Sequence, residues 1–409
     1  MTERPIPTNA RGLKFALAMC AAEIFGLIGF STFQALIPTF QSAWQLSNAD
    51  AGWISGVYFA GYVASVPVLT SLTDRIAPRH VLLVSLAMTA LASLAFAWWA
   101  EGFWTAMFFR LLQGVGLAGT YMPGLKALTD AVEGPKQSRY LSFYTSSFGV
   151  GVAASFLLAG MIAPSFGWQW AFAANALGAG VAAIIILISL RATVTAVYVP
   201  QNHHVLDFRP VLRNRPAMGY ILAYCGHNWE LFAFRAWAVA FIVFALGQDP
   251  GGGFGIDATI IAAALTLLGM PASILGNELA VRVGRARAIT IVSAVSLALS
   301  LVLGATAGVS YALVVVLCLV YGALLTGDSA AITAGTVASA ATGLRGATLA
   351  MHAFIGFMGG IFGPALAGIV LDLAGADSVL GWALAIASMG VGSLGVMFAV
   401  RLASARQAV

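Results

Sequence analysis

Apolar residues run through this chain in long blocks, with polar residues gathered in the short stretches between them. A helix needs roughly 20 predominantly apolar residues to cross the hydrocarbon core of a bilayer. On that criterion the pattern predicts twelve spans, at 13–37, 49–72, 79–100, 103–126, 140–163, 170–191, 217–246, 257–280, 287–307, 310–337, 346–371 and 379–401. Most connections are short. The exception, 192–216, is polar and proline-bearing, and it divides six spans from six.

Composition agrees with a membrane solvent. The chain is 60% hydrophobic and 9% charged, against about 25% charged in soluble domains, so too little polar surface exists to face water. The net charge of +5 does not point to nucleic acid, because a basic binding face needs clustered Lys and Arg on a soluble domain. Cys20, Cys225 and Cys318 fall inside apolar spans and fit no disulfide or metal spacing. The run from Leu13 to Ile37 follows Arg11 and Lys14, as a signal core would, but exceeds the ~7–15 residues of one; it reads as the first span.

Cytoplasmic loops collect Lys and Arg. With the N-terminus inside, every cationic residue except Arg110 and Arg235 falls in an inner segment. Both termini are therefore expected to be cytoplasmic. The two sets of six spans also resemble each other. A shift of 206 residues lays Arg139 on Arg345, and a shift of 207 lays Arg75 on Arg282 and Glu23 on Glu230. Parallel six-span repeats place a solute site between the halves, near the midplane. The expected fold is an all-α membrane protein built as two pseudo-symmetric bundles: residues 1–191, a cytoplasmic loop at 192–216, and residues 217–409.

In these features the chain resembles the major facilitator superfamily over nearly its whole length. Between spans two and three, "TSLTDRIAPRH" keeps Leu72, Asp74, Arg75 and Arg79 of that family's G-x-L-x-D-R-x-G-R-R loop, with Thr70 and Ala77 in place of glycines. The second-half copy, "NELAVRVGRAR", keeps Leu279, Arg282, Gly284 and Arg285 without the aspartate. In span four, "RLLQGVGLAG" matches R-x-x-x-G-x-G-x-A through Arg110, Gly114, Gly116 and Ala118. The family's exporters often carry G-x-x-x-G-P-x-x-x-G in span five. Here that pattern lies in span eleven, "GFMGGIFGPALAG" (356–368). The resemblance implies gating roles for Asp74, Arg75, Arg79, Arg282 and Arg285, and a cavity lined by spans one, four, seven and ten. Gly114, Gly116, Gly359, Gly363 and Pro364 are expected to serve close helix packing.

An ionisable residue at the bilayer centre costs ~2.5–3.5 kcal/mol on insertion scales, so each one asks for a reason. The span interiors hold Glu23, Arg110, His227, Glu230, Arg235, Asp328 and His352. His227 and Glu230 are three apart and share a helix face. A partly desolvated carboxylate can exchange a proton near neutrality, which suits Glu23 and Asp328 to proton coupling; for Arg110 the family resemblance implies proton coupling or structural bonding within span four. Glu23 has no charged neighbour on its own helix face, whereas Glu230 has His227. His227, Glu230, Arg235, Trp229 and His352 are the expected solute-binding groups, with arginine's paired donors favouring an anion.

The expected function is a secondary transporter of a small organic or inorganic anion, proton-coupled and working by alternating access in the inner membrane, with symport foremost and antiport and uniport open. A proton-driven efflux antiporter and a transport-dead receptor or assembly protein stand as alternatives. No phosphate-binding G-x-x-x-x-G-K-[ST] loop is present, and His203 and His204 have no carboxylate company beyond Asp207 for a metal site. An enzyme, a cofactor, a metal and a nucleic-acid partner are not expected. The expected partners are the solute, protons and the lipid bilayer, around a monomer.

Overall fold

The computed structural model describes residues 9–73, 75–132, 137–190 and 208–404. Asp74 and the 191–207 stretch of the central loop, with His203 and His204, lie outside the described residues. The chain begins with α1 (Asn9–Leu27), α2 (Thr32–Ala35), α3 (Ile37–Trp44), α4 (Asn48–Leu72) and α5 (Pro78–Trp99). It continues through α6 (Phe103–Ala118), α7 (Tyr121–Ala131), α8 (Gln137–Phe166) and α9 (Trp168–Ser189). After the central stretch come α10 (Arg209–Arg213), α11 (Arg215–Gln248), α12 (Ala258–Val283), α13 (Arg285–Leu303), α14 (Tyr311–Gly327) and α15 (Ser329–Ser339). The last four are α16 (Arg345–Gly356), α17 (Met358–Ala374), α18 (Val379–Met389) and α19 (Val391–Ser404). No strand occurs among the described residues.

Ten helical stretches are long and apolar enough to cross a membrane. The predicted spans 13–37 and 103–126 are helical too, but they are broken, the first between α1 and α3 and the second at Gly119–Thr120. A break at membrane depth frees backbone groups that lipid cannot satisfy, so protein must. After α1, the Phe30 carbonyl accepts from Arg110 Nη2 at 3.3 Å, and the Ser31 N–H donates to Ser155 Oγ at 2.8 Å. Thr32 Oγ1 donates to Asn175 Oδ1 at 3.2 Å. The apolar run permits the interruption; polar groups on α6, α8 and α9 sustain it. In the later helices, Asp328 occupies the junction of α14 and α15, and Phe357 that of α16 and α17.

Unlike α1, α11 is unbroken over 34 residues. Asn214 caps it by accepting from Ala217 N at 3.2 Å, and Pro216 stands in its first turn, where a missing N–H costs nothing. At ~1.5 Å per residue it spans about 50 Å, more than the hydrocarbon core requires. The faces turned away from the interior carry large exposed apolar side chains, among them Leu177, Ile188, Val84 and Phe398. Such surface is suited to lipid rather than water.

Helices α1–α9 meet helices α11–α19 mainly along α4 with α17 and α8 with α12. The α4–α17 contact is backbone on backbone. A Cβ on Gly52 would run into the Pro364 carbonyl, one on Gly56 into that of Ile361, and one on Gly368 into that of Asn48. At the same end, the Asp372 carboxylate accepts from Asn48 N at 3.0 Å, Asn48 Nδ2 at 2.8 Å and Ala49 N at 2.8 Å. These are unpaired donors of the α4 N-terminus, where a negative charge also meets the positive end of the helix dipole. Together these contacts close the end of the molecule at which α4 starts.

Candidate functional site

The buried ionisable groups divide by what surrounds them. Glu23, on α1, is 8% exposed, and its Oε2 lies 2.5 Å from the Ser147 hydroxyl of α8. That hydroxyl is also 2.7 Å from the Tyr144 carbonyl oxygen. A serine has one proton to donate. With that proton given to Tyr144, the Glu23–Ser147 contact is satisfied when the carboxyl itself carries a proton and donates it. Glu23 Oε1 is buried without a partner. The residue borders a cavity of about 20 Å³, lined also by Met19, Thr120, Tyr121 and Tyr144; that is room for one or two waters.

Glu230, its repeat counterpart, is placed differently. Oε1 accepts from Ser296 at 2.9 Å and from Tyr321 at 2.6 Å, and Oε2 accepts from Ser393. With three donors from α13, α14 and α19, this carboxylate is fully supplied as an anion. His227, expected beside it, instead sets Nδ1 against Asp328 Oδ1 at 2.7 Å. Sharing a helix face gave His227 and Glu230 the same direction, but each found its partner across helices. Ser293 adds a 3.4 Å contact to Asp328 Oδ2, and a void of about 10 Å³ is lined by these groups and Glu230 together. Glu230, His227 and Asp328 thus form a polar core among the helices of the second set.

The two buried arginines, Arg110 and Arg235, have no carboxylate partner among the described residues. Arg110 is fully buried. It holds Gln113 Oε1 at 2.8 Å and the Phe30 carbonyl, with its guanidinium 4.4 Å from the centre of the Tyr58 ring. Its Nε remains unpaired. Arg235 is 9% exposed. Tyr224, Asn228 and Arg235 are spaced by four and seven residues and so lie on one face of α11. The Asn228 amide is next to the Tyr224 hydroxyl, and Arg235 is within electrostatic reach of it. Across the interface, Tyr62 of α4 and Tyr224 of α11 both pack against Phe357, at 4.6 and 6.1 Å between ring centres. Tyr62 Oη is buried with no hydrogen-bond partner, and Asn228 Nδ2 has none beyond its approach to the Tyr224 hydroxyl.

Beside these donors stands an aromatic wall. Phe357 lies 4.6 Å from Tyr62, 6.1 Å from Tyr224 and 5.7 Å from Phe232 (centroid distances). Phe232 meets Phe59 of the first helix set at 4.1 Å. His352 stacks on Tyr224 at 3.9 Å and its Nδ1 is 3.1 Å from Thr336 Oγ1. Trp229 turns away, its Nε1 donating to the Ser388 carbonyl at 3.4 Å.

The glycines singled out in the sequence sit at close approaches. Gly114 abuts the Tyr58 carbonyl, Gly116 the Thr89 hydroxyl, Gly359 the Cys225 carbonyl and Gly363 that of Trp229. Pro364 O accepts from Trp237 Nε1 at 3.0 Å. Arg75 and Arg282 are exposed, and Arg79 and Arg285 partly so, beside the short connections at the end opposite Asn48. Sequence reasoning passed over Ser147, Ser296, Ser393, Tyr321, Tyr62 and Asn228. For the serines there was no signal, since an isolated serine is ordinary in an apolar span. For Asn228 there was one: its face carries Tyr224 and Arg235.

The match to known proteins is broad in fold and narrow in sequence. The niacin transporter NiaP of Acinetobacter baylyi is 27% identical over 161 residues, 39% of this chain and 35% of that protein. The chain spans between a fifth and about a third of the length of the curated relatives it matches, from 20% to 35%. Among solved structures, a bacterial homologue of the human lysosomal transporter Spinster, inward-facing and unoccupied, has a TM-score of 0.75 at 14% identity, covering 97% of each chain. The nucleoside transporter NupG has a TM-score of 0.73 at 15% identity, covering 95% of this chain and 99% of its own. At such identities these likenesses concern the fold. The family model described as Major Facilitator Superfamily matches residues 19–364. The chain is a multi-pass membrane protein that belongs to the Major Facilitator Superfamily.

Proposed function

We propose that this protein is a secondary transporter that carries a small organic anion by alternating access, in symport with a proton held at Glu23. The observation that carries this reading is the presence of buried donors without acceptors, Tyr62 Oη on α4 and Arg110 Nε on α6, together with Arg235, buried on α11 with no carboxylate partner among the described residues. An unpaired buried donor costs about 1–3 kcal/mol, and a solute rich in acceptors removes that cost on binding. Glu230 and Asp328 are supplied by other groups, so no carboxylate among the described residues neutralises Arg110 or Arg235. Glu23 alone is arranged to be content when protonated. The relative named as a niacin transporter fits a small organic solute.

In this reading the chain makes twelve passes, with both termini cytoplasmic in the inner membrane. The sets α1–α9 and α11–α19 rock as two halves of a monomer about the central donors. The closed Asn48 end then faces outward. Asp74, with Arg75 and Arg79, would latch the inner face in the opposite state.

Flux in proteoliposomes tests this directly. Small carboxylates should enter faster than their neutral amides or cationic analogues, and faster than into protein-free vesicles. Entry of cations or neutral solutes alone removes the anion assignment. Binding without flux of any solute indicates a receptor.

A further inference from the structure

Glu23 borders a space of its own, and the atoms around that space point to a second ligand. This step rests on the reading of Glu23 as the proton carrier. The cavity, of about 20 Å³, is bounded by α1, α5, α6, α7, α8 and α9, all from the first helix set. Apolar side chains such as Leu82 and Leu86 make up much of its wall, while Glu23, Thr120, Tyr121 and Tyr144 bring side-chain oxygens to it. Two of these hydroxyls have already spent their protons. Tyr144 Oη donates to the Tyr121 carbonyl at 3.1 Å, and Thr120 Oγ1, between α6 and α7, donates to the Leu117 carbonyl at 3.0 Å. Each then has only lone pairs to offer. Glu23 Oε1, in a side chain at 8% exposure, is an acceptor with no donor.

We infer that Glu23 and Thr120 hold one water molecule in this cavity, which donates its two protons to Glu23 Oε1 and Thr120 Oγ1, and that Thr120 is a positioning residue for the proton site. A water needs about 10–15 Å³ and two to four polar partners, and the cavity supplies both. Tyr121 adds a hydroxyl able to donate to the water oxygen. With Oε1 receiving the water, the carboxyl's own proton stays on Oε2, which has Ser147 as its acceptor. The same water supports the carboxylate once that proton has left. Every lining residue belongs to α1–α9, so proton and water travel inside one rocking half, and the solute has no need to displace them.

Full-length protein in lipid nanodiscs would be followed by infrared difference spectroscopy between acid and alkaline buffer. The Glu23 carboxylic C=O band is the one that Glu23→Gln removes. A carbonyl oxygen that accepts a hydrogen bond absorbs at lower frequency than a free one, so the wild-type band should lie at the bonded position. Thr120→Val should move it to higher frequency, and Thr120→Ser should return it. Gly26→Ala works on the same water without touching a polar group. Gly26 lines the cavity, and its added Cβ meets Leu86 Cδ2 at 3.4 Å and Ala182 Cβ at 4.0 Å, which are ordinary contacts. By filling the space it too should raise the band, and it serves if Thr120→Val proves unstable by thermal melting. A wild-type band at the free position, or one frequency shared by wild type, Thr120→Val and Gly26→Ala, would refute the water while leaving a proton on Glu23. Absence of any band that Glu23→Gln removes would overturn the proton reading itself, and the water's role with it.

Discussion

Replacing Glu23 by glutamine should leave solute exchange running while abolishing accumulation against a gradient. The side chain keeps its size, and its amide can donate to Ser147 while Ser147 donates to the Tyr144 carbonyl. The variant therefore reproduces the protonated state permanently. An imposed gradient of one pH unit is worth about 1.4 kcal/mol per proton, which permits roughly tenfold accumulation for a one-to-one symporter. In Glu23→Gln the ratio should fall to about one, with exchange changed no more than about twofold and no longer dependent on pH. The measurement is radiolabelled carboxylate uptake into proteoliposomes with and without the gradient, against protein-free controls. Retained accumulation with unchanged pH dependence would make Glu23 a structural acid.

The second large effect is expected at the α4–α17 contact. Gly56 stands where any side chain meets the Ile361 carbonyl, which is backbone and cannot turn aside. Gly56→Leu can be relieved only by parting the helices, which also pulls Asn48 from Asp372. Overpacking typically costs 1–3 kcal/mol, and this cost falls on the closed arrangement alone. The ratio of closed to open at the Asn48 end should drop roughly 5- to 150-fold, with turnover falling accordingly. Spin labels at the exposed positions Trp104 and Val309 should report longer separations. Gly180→Leu is the control, since nothing lies within 4 Å of the added Cβ position. Unchanged separations in Gly56→Leu would mean that this contact does not set the conformational balance.

How much of this was legible in the sequence depends on the range of the interaction. The ten long helices follow from apolar runs, and the family from loop motifs read locally. The break after α1 could not be read from 13–37, because it exists through Arg110, Ser155 and Asn175, far away along the chain. The buried acids were visible as oddities in apolar spans, but their partners were not. His227 looked toward Glu230 on its own helix, and Asp328, at a helix junction, proved the nearer group. The face carrying Tyr224, Asn228 and Arg235 was open to helical periodicity. That Tyr62 of α4 shares Phe357 with Tyr224 required the packing of the two helix sets.

The central claim is that an organic anion and a proton move together. Solute-dependent proton movement measures it most directly, with a pH-sensitive dye trapped in proteoliposomes at equal pH on both sides. On addition outside of a polar, poorly permeant small carboxylate, the account predicts that the lumen acidifies in step with carboxylate entry, beyond the drift of protein-free vesicles, and that Glu23→Gln removes this excess. Carboxylate entry through the protein with no accompanying pH change, or the same excess in Glu23→Gln, would contradict it.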